Sequence, residues 1–372
     1  MSARQYSSRL RDPAALAPAF ADGVYCSPVS AVAIPGVPHY TVNHASAAAL
    51  ALVAGALDAE GVPYSLAYGT ALGAVRHHGF IPHDHDIDLF VPKRYGGVVQ
   101  RIARSLGAAS MYTHAPWGDP TPLQKVLFPG CFDIDIFNED IIEDPQHRAL
   151  LAPFFETELP QLAEVVFCGR PFRAMPNLTE HLDRQYGPSW PYEVVAQGQR
   201  LSLAAYRERW ADFRQPDLDA LKPQRVAVHG VFDVLHAGHL NLLARAWLLF
   251  GSVTAAVDAD ALVKQYKRTP ATSTSERLRH VASLRWVEQT VLVASMATGP
   301  SCYAPFGGSP AGADRFFHEN GLDMLVCGID ETGPAYIDRW YRHARDTGRL
   351  ATTDRTPDIS TTKILGGLRR PL

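Results

Sequence analysis

Two short spacings in this chain of 372 residues bring together side chains that could do chemistry. The first is Gly230-Val231-Phe232-Asp233-Val234-Leu235-His236-Ala237-Gly238-His239, where two histidines stand three positions apart. At a helix start that spacing puts both imidazoles on one face. Paired imidazoles can donate hydrogen bonds to a phosphorus centre as it gains negative charge. Gly238 between them lets the backbone approach a phosphate closely. The second spacing is Asp86-Ile87-Asp88. Alternate residues of a strand share a face, so both carboxylates point the same way. They repel unless a cation sits between them, and Mg²⁺ prefers such oxygen ligands together with phosphates. Asp135, with Asp133 on the same face of Phe132-Asp133-Ile134-Asp135-Ile136-Phe137, offers a third carboxylate.

Each spacing has a companion. Arg355-Thr356-Pro357-Asp358-Ile359-Ser360-Thr361-Thr362-Lys363 places an arginine and three adjacent hydroxyls at a helix start. Helix capping would use one hydroxyl; a triphosphate would use the whole set. Upstream of the aspartates, Gly69-Thr70 predicts a tight turn that sets the backbone against a phosphate.

These residues need elements to hold them. In the second half, strands are expected at 225–229, 253–257, 290–293 and 324–327, and helices at 240–250, 276–286, 335–345 and from Thr361 onward. Strands alternating with helices predict a parallel, doubly wound α/β sheet. Its ligands sit at the carboxyl ends of the strands. The helix after Gly238 would aim its N–H groups at a phosphate there. In the first half, a helix is expected at 46–60, a strand at 63–68, a helix from Ala71 to His77, and strands at 86–91 and 132–137. The expected divisions are an arm at 1–44 wrapping the first domain, an α+β domain at 45–205, a polar linker at 206–222 containing Pro216, and an α/β domain at 223–372.

Composition narrows the function. A net charge of -3 and a pI near 6.6 argue against a nucleic-acid binder. Five scattered cysteines (Cys26, Cys131, Cys168, Cys302, Cys327) without a CxxC pair argue against a disulfide scaffold or zinc ribbon and fit a reducing cytosol. The N-terminus lacks the apolar core of a signal peptide. The apolar run from Ala47 to Leu57 falls short of the roughly 20 residues of a bilayer span. A cytoplasmic protein with no integral membrane segment is expected.

The segment from Arg225 to the end resembles the cytidylyltransferases, in particular the glycerol-3-phosphate cytidylyltransferase branch. GVFDVLHAGH and RTPDISTTKI carry the likeness. Ser273 and Arg277 in STSER resemble that family's Ser-x-x-x-Arg helix start; Lys264 and Lys267 resemble its phosphate-binding lysines, in a loop after the second strand, and Asp260 its aspartate there. The resemblance implies that a phosphorylated alcohol (a polyol phosphate, phosphocholine or a phosphonate) attacks the α-phosphorus of CTP and pyrophosphate leaves. His236, His239, Lys264 and Lys267 would be catalytic. Gly230, Phe232, Asp233, Gly238, Asp260, Arg277, Gly328, Arg355, Thr356, Ile359, Ser360, Thr361 and Thr362 would hold the nucleotide. ATP in place of CTP is the competing choice. A homodimer is implied by analogy.

Residues 45–195 resemble the LicD and fukutin-related phospho-alcohol transferases, which have a nucleotidyltransferase-like fold. GTALGAVRHHGFIPHDHDIDLF, FDIDIF and LDRQYGPSW carry this likeness. Where that family has Trp-Asp-Asp-Asp, this chain has His83-Asp84-His85-Asp86, so His85 replaces an acid. The resemblance implies transfer of a phospho-alcohol from a CDP-linked donor to a glycan or other hydroxyl acceptor, with CMP released. Asp86 and Asp88 would be catalytic and, with Asp135, hold Mg²⁺, with Mn²⁺ or Zn²⁺ as alternatives favoured by His85. Gly69, Thr70, Arg76 and Lys125 would contact phosphate. Together the halves imply a bifunctional enzyme that makes and uses a CDP-alcohol; the alternative is a cytidylyltransferase carrying a non-catalytic LicD-like binding domain.

Overall fold

The computed structural model describes residues 34–114, 122–142, 144–158, 160–196, 198–330 and 332–368. Residues 1–33 of the expected arm, and Cys26, lie outside the described residues. The chain divides into two compact units. One contains Ser46–Phe128 and Phe132–Ala220; the other contains the chain from Leu221, joined by residues 34–45 and 129–131.

Strand β1 (His39–Tyr40) and helix α1 (Val42–Ala59) come first. The first unit continues with β2 (Ser65–Leu66), α2 (Tyr68–His77), β3 (Asp86–Phe90), α3 (Gly96–Ser105), β4 (Ala109–His114), β5 (Pro122–Leu127) and β6 (Asp133–Phe137). Then follow α4 (Pro145–Phe155), hairpin β7 (Ala163–Phe167) and β8 (Arg170–Ala174), α5 (Leu178–Tyr186), hairpin β9 (Glu193–Ala196) and β10 (Gln199–Ser202), and α6 (Leu203–Arg209). The sheet has the order β2-β3-β6-β5-β4. Its register positions the chemistry: β3 and β6 run parallel with Asp88 opposite Asp135, and β5 runs antiparallel to β6 with Lys125 opposite Asp135. A row of charged side chains therefore crosses three strands on one face, while Ile87, Leu89, Ile134 and Ile136 bury the other.

The second unit contains β11 (Gln224–Gly230), α7 (Ala237–Phe250), β12 (Gly251–Asp258), α8 (Asp260–Tyr266), α9 (Thr274–Ala282), β13 (Gln289–Val293), α10 (Pro310–Glu319), β14 (Met324–Ile329), α11 (Gly333–Trp340), α12 (Arg342–Asp346), β15 (Leu350–Asp354) and α13 (Thr361–Leu368). Its six-stranded sheet has the order β1-β15-β14-β11-β12-β13, and all its pairings are parallel. Val226, Ala227 and Val228, and Ala255 through Val257, are buried on both faces, as parallel strands between two helix layers must be. Leu243, Leu249 and Val281 pack one face; Phe316, Phe317 and Ile337 pack the other. This is the doubly wound sheet that the strand–helix alternation predicts.

Several boundaries differ from expectation. The described end of the arm joins the second unit, not the first: His39 pairs with Thr352 and Tyr40 with Thr353, extending the sheet past β15. The stretch expected as a linker is packed instead. Tyr206 and Leu218 are buried, Gln215 exchanges two hydrogen bonds with the backbone of Phe80, and Leu218 N donates to Cys168 O. Its polar composition reflects specific hydrogen bonding rather than solvation. Gly69 and Thr70 lie within the first turn of α2 rather than in a turn before it, and the preceding strand shortens to Ser65–Leu66. Helix α1 is, among the described residues, the one helix long and apolar enough to cross a membrane; its Leu50, Val53 and Leu57 are fully buried.

Candidate active sites

The first site is a cleft of about 400 Å³ at the carboxyl ends of the parallel strands in the second unit. Helix α7 begins at Ala237, three residues earlier than expected, so His236 is its N-cap. The Nδ1 of His236 accepts from Gly238 N at 3.1 Å. A neutral ring that accepts at Nδ1 carries its proton on Nε2. His239 lies in the first turn, and the two rings stack with centroids 3.9 Å apart. Burial, and then the nearby Arg355 charge, hold His236 below the usual histidine range. Burial, with His236 and Lys267, pushes His239 down to about 3. Both rings are therefore neutral hydrogen-bonding groups at pH 7. Following their ring resonances by NMR is expected to show no His239 titration between pH 8 and pH 5; a midpoint near the ordinary ~6.5 would contradict this environment.

The Gly238 α-carbon is closely approached: a Cβ there would lie 3.0 Å from His236 Cε1 and 3.3 Å from Ile359 Cγ2, so any larger residue would press on the His236 ring. Phe232 and Val234 both hold positive φ (54° and 51°) in the loop before the histidines. Such strained backbone persists where surrounding contacts over-determine it, and here they do. The Phe232 ring is buried against His239 at 5.4 Å. The Asp233 carboxylate accepts from Ala271 N, Thr272 N, Thr272 Oγ1 and Arg268, and Thr361 Oγ1 donates to its carbonyl. Burial raises the Asp233 carboxyl, but these hydrogen bonds outweigh it and hold the group below its usual range.

The cleft gathers most of the expected nucleotide residues: Asp233, Gly238, Gly328, Arg355, Thr356, Ile359, Ser360, Thr361 and Thr362 border it with His236, His239 and Lys267. Three of the hydroxyl groups already have partners. Ser360 Oγ accepts from Lys363 N, Thr361 Oγ1 reaches Asp233, and Thr356 Oγ1 accepts from Asn241. Arg355 pairs with Asp330 at 2.8 Å. Burial lowers the Lys267 ammonium. Arg268 also lines the cleft and was not singled out from sequence, although it extends the same lysine-bearing stretch.

Lys264, Gly230, Phe232, Asp260 and Arg277 are not among the residues lining the cleft. Lys264 is exposed on α8, and Lys267 follows that helix in extended backbone, so the two are on a helix and its C-cap rather than in a loop. Gly230 ends β11. Asp260 and Thr274 exchange hydrogen bonds between the starts of α8 and α9. Arg277 is fully buried. It donates to the carbonyls of Val231 (2.5 Å), Asp258 (2.8 Å) and Thr272 (3.2 Å) and to Asp260 (2.5 Å). It therefore holds the loops around the cleft from beneath. Arg277→Met is expected to cost more than about 2 kcal/mol, because several buried carbonyls lose their donor; a thermal unfolding midpoint within a degree of the parent would contradict that.

The second site lies in the first unit. Ligand oxygens of Asp86, Asp88 and Asp135 come within 4.8 Å of one another. Gly69 N donates to Asp88 Oδ2 at 2.9 Å, and Asp88 N donates to Thr70 Oγ1 at 2.8 Å. Gly69 and Thr70, at the start of α2, thus hold Asp88 in place on β3. A Cβ on Gly69 would lie 2.4 Å from Asp84 Oδ2 and 3.3 Å from Asp88 Oδ2, so a larger residue here would force the Asp84 carboxylate to move. Asp84 hydrogen-bonds Asp86 and makes a fourth acid that strand spacing does not predict, because it precedes β3.

Burial and the mutual repulsion of these acids push Asp86 and Asp88 well above the carboxylate range. Burial raises Asp135 to about 7 against the opposing pull of Lys125. The Lys125 ammonium sits 2.6 Å from Asp135 and 3.2 Å from Asp133, committed to carboxylates rather than placed for phosphate. Arg76 is buried and donates to the carbonyls of Trp190 and Glu193; it is not the phosphate contact expected. Several buried carboxylates beside one ammonium leave excess negative charge, and an all-oxygen donor set of this kind fits a hard divalent cation. His85 instead stacks on Phe132, rings 5.8 Å apart.

Comparison with known proteins follows the same division. Residues 227–366 match the family Cytidylyltransferase-like, and residues 61–117 match LicD/FKTN/FKRP, nucleotidyltransferase domain. An ethanolamine-phosphate cytidylyltransferase of Arabidopsis thaliana is 28% identical over 145 residues, covering 39% of this chain and 32% of that protein. A choline-phosphate cytidylyltransferase of Saccharomyces cerevisiae is 27% identical over 165 residues, covering 44% and 35%. Mouse choline-phosphate cytidylyltransferase A is 29% identical over 146 residues, covering 39% and 36%. The chain thus spans about a third of the length of these relatives. Among solved structures, the lipopolysaccharide core biosynthesis protein from Thermoplasma volcanium GSS1 aligns over 37% of this chain and 98% of its own at 20% identity, with a TM-score of 0.26. Residues 227–366 are thus similar to cytidylyltransferase-like domains, and residues 61–117 to the LicD-type nucleotidyltransferase domain.

Proposed function

We propose that the chain is a bifunctional transferase. Its second unit would join CTP to a phosphorylated alcohol, giving a CDP-alcohol and pyrophosphate. Its first unit would pass the phospho-alcohol to a hydroxyl acceptor such as a glycan and release CMP. The observation that carries the first activity is the stacked, neutral His236–His239 pair at the mouth of α7, facing a cleft bordered by Lys267, Arg268 and Arg355.

In the cytidylyl step, a phosphate oxygen of the alcohol phosphate forms a bond to the α-phosphorus of CTP. The bond from that phosphorus to the β-bridging oxygen breaks, and the electron pair leaves with pyrophosphate. No covalent enzyme intermediate is required; alignment and charge stabilisation do the catalysis. The Nε2–H of His236 donates toward the α-phosphate as its charge grows. Lys267, Arg268 and Arg355 offset the charge of two anionic reactants, and the α13 N-terminus, with Thr362, faces the β- and γ-phosphates.

For the transfer step, Asp86, Asp88 and Asp135 are the residues that would hold a divalent cation, Mg²⁺ by donor type, which supplies charge neutralisation at the donor's pyrophosphate. Lys125 keeps Asp135 oriented, and the Gly69 N–H keeps Asp88 oriented. The intact carboxylate group supports a catalytic first unit over a purely binding one. The product of the second unit is the donor of the first, and tethering raises its local concentration. CTP as substrate fits the cytoplasmic setting that the cysteine pattern suggests; a homodimer is part of the proposal by analogy alone and is checked by sedimentation.

The test is two assays on the intact chain. Pyrophosphate release is measured with CTP and a panel of alcohol phosphates, and CMP release with a purified CDP-alcohol and hydroxyl acceptors. Failure of CTP to bind would overturn the first activity. CMP release no faster than in a boiled control would leave the first unit without its proposed role.

A further inference from the structure

The first unit holds a cavity that the chemistry proposed above does not use. It has a volume of about 290 Å³ and lies where the start of α3 meets β4, β5 and the segments that follow β3 and β6. That is the low end of ligand-pocket sizes. Its place follows from the register. Gln124 of the cavity stands opposite Tyr112 on β4 and Ile136 on β6. Lys125 and Asp135, the immediate neighbours, point to the other side of the sheet. The cavity and the acid group therefore lie on opposite faces.

Gln124 is only 3% exposed, in a row where Val126, Ile134 and Ile136 are buried aliphatics. A buried amide costs stability unless its polar atoms are paired, and here only one of the two is. Its Nε2 donates to Gly96 O at 3.1 Å and to Ser110 Oγ at 3.3 Å. Only the amide nitrogen can donate to a carbonyl, which fixes the orientation of the group. Among the described residues, Gln124 Oε1 has no hydrogen-bond partner. Two more groups have the same unused capacity. Tyr112, 48% exposed, has no partner for its hydroxyl among the described residues. Asn138 Oδ1 accepts from Asp140 N at 2.9 Å, which leaves Asn138 Nδ2 to donate elsewhere. The groups converge: a Cβ on Gly96 would lie 2.7 Å from Tyr112 Oη and 3.4 Å from Gln124 Oε1. The charges lining the cavity cancel, because Lys93 pairs with Asp140.

This lining sets the ligand. Its neutralised charges select neither a phosphate nor an ammonium group. A free amide oxygen asks for a donor, a free amide N–H for an acceptor, and a phenol hydroxyl takes either. Hydroxyl groups on a small ring supply both at close spacing. The exposed Tyr112 ring offers its negative face to the ring's C–H bonds. We propose that the cavity is a sugar-binding site that holds one neutral pyranose unit, with Gln124 Oε1 accepting from one hydroxyl, Asn138 Nδ2 donating to another and Tyr112 covering the ring. The site binds and does not react, since the acids are on the opposite face. It stands apart from the transfer reaction proposed for the first unit and does not rest on it.

The intact chain, without added nucleotide or metal, is titrated with methyl α-D-glucopyranoside, methyl β-D-galactopyranoside, N-acetylglucosamine and lactose. Cytidine and inorganic phosphate serve as the competing chemistries, and binding is read by saturation-transfer NMR and calorimetry. At least one sugar is expected to bind with a Kd of roughly 1 mM or tighter. Tyr112→Phe and Gln124→Met are each expected to weaken it by about 3- to 10-fold, the loss of one hydrogen bond. Gly96→Ala sets a methyl group between Tyr112 and Gln124 and is expected to weaken it by about 10-fold or more. Its unfolding midpoint is expected to stay at or above that of the parent, because Gly96 has an ordinary helical φ of −53° and alanine is the better helix former. No sugar binding up to roughly 50 mM overturns the proposal. Cytidine or phosphate bound in preference to every sugar, and weakened by Gly96→Ala, overturns the sugar assignment. Sugar binding that is unchanged in Tyr112→Phe and Gly96→Ala lies elsewhere on the chain and overturns the site.

Discussion

His236→Ala is expected to lower pyrophosphate release from CTP at least ~100-fold, the scale for losing one preorganised donor to a charge-developing centre. The alanine variant alone is ambiguous, because His236 also caps α7 through its Nδ1 contact with Gly238 N. Losing a cap costs roughly 1 kcal/mol and frays the turn that carries His239. His236→Asn separates the two roles. Asparagine is among the best N-cap residues, so the unfolding midpoint is expected to return toward the parent value. Its short side chain ends near the backbone and cannot place a donor where Nε2 lies, so turnover is expected to stay low. Recovery of activity with recovery of the cap would show that His236 acts only through the helix, and the transition-state role would be lost.

The cleft was legible in the sequence because its key residues are contiguous. His236, Gly238 and His239 occupy four positions of one helix start, and Arg355 to Thr362 occupy eight positions of another. Local spacing dictates their shared orientation. Where tertiary packing decides, the sequence was silent. Lys264 and Lys267 have the same spacing as the histidines, yet Lys267 leaves the helix with φ near −142° and ψ near 174°, so the two side chains diverge. Nothing local separates an arginine that lines a site from one that supports it: Arg277 and Arg76 read as phosphate ligands, but both are buried and spend donors on backbone carbonyls and neighbouring side chains. The edge strand β1 has no period to detect. It is two residues long, and its His39 side chain meets Thr352 across a separation of 313 positions. The acid group was readable as an alternation on β3 and β6. Its fourth member, Asp84, lies before β3, where alternation alone gives no assurance of a shared face.

Asp88→Asn is the corresponding experiment for the first unit. Asp88 is the acid most tightly built in: its Oδ2 accepts from Gly69 N, and its own N–H donates to Thr70. Asparagine keeps the volume and an acceptor oxygen for Gly69 but removes one negative charge. CMP release from a CDP-alcohol is expected to fall by ~100-fold or more, since a site that has lost a metal-binding charge loses several kcal/mol of stabilisation. Pyrophosphate release by the second unit is expected to be unchanged. Stability supplies a readout independent of turnover. Asp84, Asp86 and Asp135 repel the Asp88 charge in a buried setting, so without added metal the variant is expected to unfold at or above the parent midpoint. With millimolar Mg²⁺ or Mn²⁺ the parent is expected to gain stability by preferential binding to the folded state, and the variant to gain far less. If Asp88→Asn were destabilised without metal and equally responsive to it, the carboxylates would be holding the fold rather than a cation, and the transfer chemistry would need another site.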